Sequence, residues 1–256
     1  TVTLQSGATI HGALLVAAEG RNSPTREAAG IRTTRWQYSH SAMVTAIDHE
    51  VPPANTAYEI FYVGGPFALL PMLPGTRSAV VWTVPTPQAP AMLKLSERAW
   101  LAEAQKRIGG FLGEIKLAGP RSSYPLGFHH AARITDTRLA LVGDSAHAIH
   151  PIAGQGLNLG LRDVAALVEV LVDGMRLGLD PGDAQLMARY QRWRGLDAMM
   201  TSVAMDGLVR LFDVPGKLPS LVRRAGLAAV QRTSLLKGRF MAEARGQSGA
   251  LPRLLT

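Results

Sequence analysis

Apolar residues fall in short runs through the first third of the chain, broken repeatedly by Gly, Pro and Asn. Residues 2–5 and 13–18 read as strands around a turn at Ser6-Gly7, with Leu14, Leu15, Val16 and Ala17 apolar enough for a buried strand. Residues 19–24 form a loop punctuated by Gly20, Asn22 and Pro24. Runs at 41–47, 57–63, 67–70 and 78–84 follow, separated by Pro52-Pro53, Gly64-Gly65-Pro66 and Pro74-Gly75. Such spacing predicts an antiparallel sheet. Ser96 is placed to cap a helix over 97–112, with Ala99, Leu101, Ile108 and Leu112 among its apolar positions. Residues 124–126 and 130–134 read as extended.

The pattern then changes. Residues 139–142 make an apolar run ending at Gly143-Asp144, as a buried parallel strand does. Helical periodicity follows over 156–173, 183–211 and parts of 218–245, with stops near Gly174 and Pro215. Leu157, Leu161, Val164 and Val168 form a stripe expected to face the core. Strands, a sheet insert, a helix, a strand and then helices predict an α/β chain, α+β overall, with a helical C-terminus.

Composition narrows the class. The chain has 256 residues and is 47% hydrophobic with 18% charged residues, which argues for a packed core. It contains no cysteine, so disulfides, thiolate metal sites and a cysteine nucleophile are excluded together. No apolar run approaches the ~18 residues of a membrane span. The start, Thr1-Val2-Thr3-Leu4, has no initiator Met and no leader pattern but opens in a strand, and a fragment of a longer chain is expected. The formal net charge is +8, and it is concentrated: residues 207–256 hold nine Lys/Arg against Asp213 and Glu243.

Candidate chemistry sits in residues 141–163. Asp144, at the C-terminal end of a parallel strand, stands where α/β sheets bind ligands and can accept bonds from sugar-type hydroxyls. Gly154 and Gly156 allow backbone N–H groups to approach a ligand at a helix N-terminus, where negative charge is favoured. The run Gly154-x-Gly156-x-x-x-Gly160 misses the G-x-G-x-x-G spacing and follows a loop, so a dinucleotide fingerprint is refused. Glycines used only for tight helix–strand packing are the competing explanation.

From Gly143 to Asp163 the wording resembles the second flavin motif of the FAD-dependent aromatic hydroxylases, the para-hydroxybenzoate hydroxylase-like group. Ala146-His147, His150-Pro151 and Ala153-Gly154-Gln155-Gly156-Leu157-Asn158 are most similar to the ubiquinone-biosynthesis hydroxylases. The resemblance implies that Gly143 and Asp144 bind the ribityl chain of FAD. It implies that Gly154, Gln155, Gly156, Leu157 and Asn158 face the flavin ring, and that Pro151 lines its substrate side. Residues 14–26 resemble the family's Asp-Gly motif, with Ala17 in place of a Gly and Glu19 in place of the Asp; Glu19 and Arg26 would then be cofactor-side residues. Residues 65–71, with Leu70 and Pro71 as substrate contacts, and residues 124–126 look like strands of the substrate sheet. Residues 190–197 and 206–212 look like the C-terminal helices.

The resemblance implies a partial FAD-binding Rossmann-like domain over 1–34 and 136–180. An inserted antiparallel substrate-binding sheet with one helix would occupy 35–135, and a C-terminal helical region 181–256. The family's N-terminal ADP-binding lobe has no counterpart in this sequence, so the chain is expected to hold FAD poorly and to be inactive by itself. For the intact protein the expected activity is hydroxylation of a polyprenylated aromatic substrate with NAD(P)H and O2. A flavin hydroxylase of another aromatic substrate, and a non-catalytic membrane-docking or scaffold subunit of a biosynthetic complex, stay open. So does a homo-oligomer.

Other candidates read plainly. His147 and His150 precede or adjoin Pro151 with no carboxylate cluster, so no metal is expected and they are taken as loop-shaping. His129 and His130 would point to opposite faces of a strand. Ser145 lies outside any G-x-S-x-G elbow. For the basic tail, a solvated helical face and a membrane surface both fit, since 208–212 and 221–227 mix Leu, Phe and Arg as interfacial helices do. Nucleic acid is set aside for want of a recognised module. The expected location is cytoplasmic, peripheral at the inner face of the membrane.

Overall fold

The computed structural model describes every residue except Val63, Pro215 and Ser248, together with the side chains of Ala153, Asp213, Lys217, Leu218, Glu243 and Ala244. In chain order it runs β1 (Val2–Thr3), β2 (Thr9–Ile10), β3 (Leu15–Ala17), α1 (Pro24–Ala28), β4 (Thr33–His49), β5 (Tyr58–Tyr62), β6 (Gly65–Met72) and β7 (Arg77–Pro85). Then come α2 (Ala89–Lys94), α3 (Glu97–Ile108), β8 (Ile115–Leu117), β9 (Ser122–Ala131), β10 (Thr135–Asp136), β11 (Leu139–Leu141) and β12 (His147–Ala148). Four helices finish the chain: α4 (Gln155–Arg176), α5 (Ala184–Asp213), α6 (Lys217–Arg232) and α7 (Ser234–Ala244). The expected strand over 57–63 ends one residue beyond the described part of β5. The chain divides into two units: Thr1–Trp36, Phe128–Leu208 and Arg224–Thr256 form one, and Gln37–Gly127 with Val209–Arg223 the other.

The second unit is the antiparallel sheet that the turn signals predicted. β4 pairs with β7, β7 with β6 and β6 with β5, while β8 also pairs with β4. Register brings Met43 and Phe67 to either side of Trp82, and Thr45 and Leu69 to either side of Val80, so one face alternates into the core. That face buries Trp100, Ala104 and Ile108 of α3. Ser96 caps α3 by accepting from Ala99 N at 3.3 Å, as expected, but the helix stops at Ile108 rather than at residue 112. Gly109 and Gly110 take φ of +75° and +82°, which ends helical geometry there, although Leu112 still packs into the same core. Phe212 stacks on Phe61 at 3.9 Å between ring centroids, which ties residues 209–223 to this unit.

The first unit contains a small three-stranded sheet in the order β10-β11-β3. β11 runs parallel to β3, with Ala140 opposite Val16, as the apolar run at 139–142 predicted. The expectation of a buried strand at residues 13–18 is corrected: β3 is the outer strand of the three, Leu15 and Val16 are exposed, and Ala17 alone is buried within it. The segment before it is also divided differently, since Val2–Thr3 pairs with Thr9–Ile10 as a hairpin.

α4 departs from expectation in two ways. The stripe of Leu157, Leu161, Val164 and Val168 does not enter the core; Leu157 is 73% exposed and the other three are exposed as well. The buried face is instead Leu159, Arg162, Asp163, Ala166, Leu167 and Val170, which meets Leu141, Val142 and Tyr190. Gly174 does not stop the helix, which continues to Arg176. A Cβ there would stand 2.5 Å from Leu186 Cδ2, so this glycine serves close packing against α5. Gly160 does the same toward the strand end: its Cβ would lie 3.3 Å from Gly143 Cα.

Gly160→Val should therefore lower the urea midpoint by an overpacking cost of about 1–3 kcal/mol. Gly156→Ala, whose Cβ meets nothing within 4 Å, should hold the midpoint or raise it, since it takes a glycine out of the helix. Equal midpoints for the two variants would refute the close-approach account.

Candidate functional site

The turn Gly143–Ser145 follows β11 directly and leaves the Asp144 carboxylate exposed. Several groups hold this turn. Gly143 N donates to Asp163 Oδ2 at 3.1 Å, and Arg26 Nη1 donates to Ser145 O at 2.9 Å. Glu19 N donates to Ser145 Oγ at 2.8 Å, and the His129 ring stands against Arg26 Nη1. Gly143 takes φ of +58°, a left-handed conformation that a side chain resists, and its Cα faces Gly160 of α4.

The start of α4 is built differently. Gly154, with φ of +63°, precedes the first turn and no side chain caps it. The leading N–H groups of a helix have no intrahelical acceptor, so this end presents donors and partial positive charge. A Cβ at Gly154 or at Gly156 would meet nothing within 4 Å. Gln155 is buried, Pro151 is exposed, and Asn158 Nδ2 lies 3.4 Å from Gln155 Oε1. An open glycine cradle at a helix N-terminus, beside an exposed carboxylate at a strand end, fits a ligand that carries sugar-type hydroxyls and a group of negative charge. The seven residues predicted between Gly143 and Asn158 other than Pro151 thus belong to one construction around the turn and the helix start.

Glu19 and Arg26 lie in the same unit and are engaged with protein. The Glu19 carboxylate accepts from Ser23 Oγ at 2.5 Å and from Thr25 Oγ1 at 2.6 Å, which secures the start of α1. Partial burial works to raise this carboxyl, but the Ser23 and Thr25 bonds and the charge of Arg26 hold it below its usual range. Arg26 is buried, donates to Arg21 O at 3.0 Å as well as to Ser145 O, and places Nη1 3.5 Å from His129 Nε2. Leu70 and Pro71 lie on β6 in the other unit, where Leu70 is exposed on the side opposite to buried Leu69.

Asp163 was not singled out from the sequence as a site residue. It is completely buried, with Oδ1 accepting from Arg194 Nε at 2.8 Å and Oδ2 standing 2.7 Å from His147 Nε2. Burial alone would raise the Asp163 carboxyl; His147 and Arg194 outweigh it and hold it below the usual range. Arg194 also pairs with Asp197, and Tyr190 OH donates to Leu141 O at 2.8 Å. Residues 190–197 were legible as helix, but their partners are on α4 and β11, far away in sequence. His150 is buried and accepts from Ile152 N at 3.1 Å, which shapes the loop before α4. Among the described residues no group of three or more His, Cys, Asp or Glu is arranged to hold a metal.

Asp163→Asn should destabilise the fold by up to roughly 3–5 kcal/mol, because the buried Arg194 loses one of its two carboxylate partners and keeps only the half-buried Asp197; chemical denaturation measures this. Burial and the charge of Arg26 push His129 down to about 4 from 6.5. Between those values the unfolded chain binds a proton that the folded chain refuses, so stability falls on acidification through this window. The thermal midpoint should drop as pH goes from 6.5 toward 4, and His129→Gln should make the drop shallower. An unchanged slope in that variant would assign the drop elsewhere.

Residues 2–199 match the family described as FAD binding domain. The chain is 46% identical over 246 residues to the ubiquinone hydroxylase UbiL of Rhodospirillum rubrum, covering 96% of this chain and 57% of that protein. It is 35% identical over 248 residues to the 3-demethoxyubiquinol 3-hydroxylase of Escherichia coli, covering 95% of this chain and 62% of that one. The solved structure of p-nitrophenol 4-monooxygenase PnpA from Pseudomonas putida shares the fold, with a TM-score of 0.72 at 16% identity, over 93% of this chain and 60% of that chain. The chain thus spans less than two thirds of the length of these relatives. Matched over most of its length and carrying the strand-end carboxylate and open helix start in one unit, the chain belongs to the FAD-binding domain family.

Proposed function

We propose that the protein is an FAD-dependent monooxygenase that hydroxylates the aromatic ring of a polyprenylated phenol in ubiquinone biosynthesis, using NAD(P)H and O2. The observation that carries this reading is the 46% identity, across nearly the whole chain, to a ubiquinone hydroxylase. The open, uncapped start of α4 beside Asp144 supports it from the side of the chemistry.

In this reading Asp144 binds a ribityl hydroxyl through charge-assisted bonds, and the backbone N–H groups of Gly156, Leu157 and Asn158 donate to the ring edge. Gly154 and Gly156 keep side chains out of the way. Pro151 flanks the substrate side. Arg26, His129 and Asp163 serve indirectly, by fixing the turn that carries Asp144. When bound, FAD supplies the electron transfer and the activation of O2, and this chemistry belongs to the cofactor.

The substrate's prenyl tail calls for access to a lipid phase. No described helix is long and apolar enough to cross a membrane. α6 and α7 nevertheless expose Leu221, Val222, Leu227, Leu235, Phe240 and Met241 among Arg224, Arg232, Lys237 and Arg239. This mixture supports peripheral attachment at the inner face of the membrane, where each cation near an anionic surface contributes about 1 kcal/mol.

The decisive experiment offers the intact protein a polyprenylated and a soluble phenol with NAD(P)H. Hydroxylation of the polyprenylated phenol is expected, and turnover of the soluble phenol alone overturns the substrate assignment. Asp144→Ala should weaken FAD retention about tenfold or more, the worth of a lost bond to a charged group, as read from flavin absorbance after gel filtration. Binding to anionic vesicles should fall in a Lys237→Glu, Arg239→Glu double variant and in high salt.

A further inference from the structure

α4 begins with three glycines in its first six residues and the N-cap before them, at 154, 156 and 160, and no side chain caps it. Gly156 and Gly160, inside the helix, each carry a conformational entropy penalty of about 1 kcal/mol, so the start of α4 is weak by itself and gains from support outside the helix. The segment after α7 lies in the right place. A Cβ on Gly246 would stand 3.8 Å from Asn158 Cβ, in the first turn. One on Gly249 would stand 3.7 Å from Arg162 Nη2 and 3.6 Å from Asp197 Oδ1. Ala250 O then accepts from Trp193 Nε1 at 3.0 Å, and Pro252 is buried.

The run ends in a clasp. Arg253 N donates to Glu169 Oε2 at 2.7 Å, and its guanidinium reaches Asp173 Oδ1 at 2.5 Å and Glu169 Oε1 at 3.3 Å. Asn158, Arg162, Glu169 and Asp173 are spaced by four, seven and four residues, which places them along one side of α4 over about 22 Å. Gly246 and Gly249 both adopt positive φ, 68° and 75°, a conformation that glycine takes readily.

We propose that Gly246, Gln247 and residues 249–256 are a positioning element for the first turn of α4, with Arg253 as the residue that fastens it. The inference rests on the reading of that turn as the flavin-facing edge. Arg253 is a positioning residue in this role: it acts by keeping the segment against α4, with Gly246 beside Asn158.

The test uses the intact FAD-loaded protein with Arg253→Ala. FAD should dissociate severalfold faster, on the order of fivefold. Hydrogen exchange of amides 159–163, which close the first turns of α4, should speed by a similar factor while amides 139–141 of β11 stay unchanged. Arg253→Lys should restore most of both. Faster exchange at 139–141 and 159–163 alike identifies mere cover and overturns the proposal, as does normal FAD retention in Arg253→Ala. Gly156→Val separates the two levels. If it lowers FAD retention while Arg253→Ala does not, the clasp fails alone; if it leaves retention unchanged, the flavin-facing reading of α4 fails and the proposal with it.

Discussion

Burying the Asp163 carboxylate out of contact with water costs several kcal/mol, and this is offset only while Gly143 N, His147 and Arg194 all keep their places around it. Because those partners come from the strand-end turn, from β12 and from α5, one charge sets the mutual position of three elements and of α4, which carries it. The turn that exposes Asp144 and the helix whose start presents open donors are therefore not independent loops. They are two ends of one buried electrostatic arrangement. Tyr190 adds a further tie, donating to the carbonyl of Leu141 immediately before the turn.

Much of this was readable in the chain. The parallel strand ending at Gly143-Asp144, the antiparallel sheet, the Ser96 cap and the long C-terminal helices all appear where the apolar pattern placed them. Failures fall where a pattern has two physical meanings. A helical stripe of Leu and Val shows that a helix is amphipathic, but not which face its neighbours cover. On α4 the covered face is the one bearing Asp163 and the alanines, small enough to admit β11 and α5. Gly174 and Gly160 looked like a stop and a broken motif because sequence shows a missing side chain without showing what occupies its space.

The site was legible to a different degree. The residues that present chemistry outward, Asp144 and the glycines before and within the start of α4, share one stretch of sequence and could be found together. Those that hold them, Arg26, His129, Asp163 and Arg194, are scattered over more than 160 positions and meet only after folding. Glu19 illustrates the limit. Its family-like motif pointed to a cofactor-side role, which stays a proposal, but did not show that its carboxylate secures the start of α1 and its backbone N–H secures Ser145.

The contact between Gly143 and Gly160 brings main chain against main chain, with no side chain that could change rotamer to absorb a shift. Asp144 and the amides of Gly156 to Asn158 are thereby separated by a length of backbone alone, like two marks on a rigid gauge. Amino-acid drift on the exposed side of α4 can alter what the helix meets without altering the span over which a bound molecule is measured.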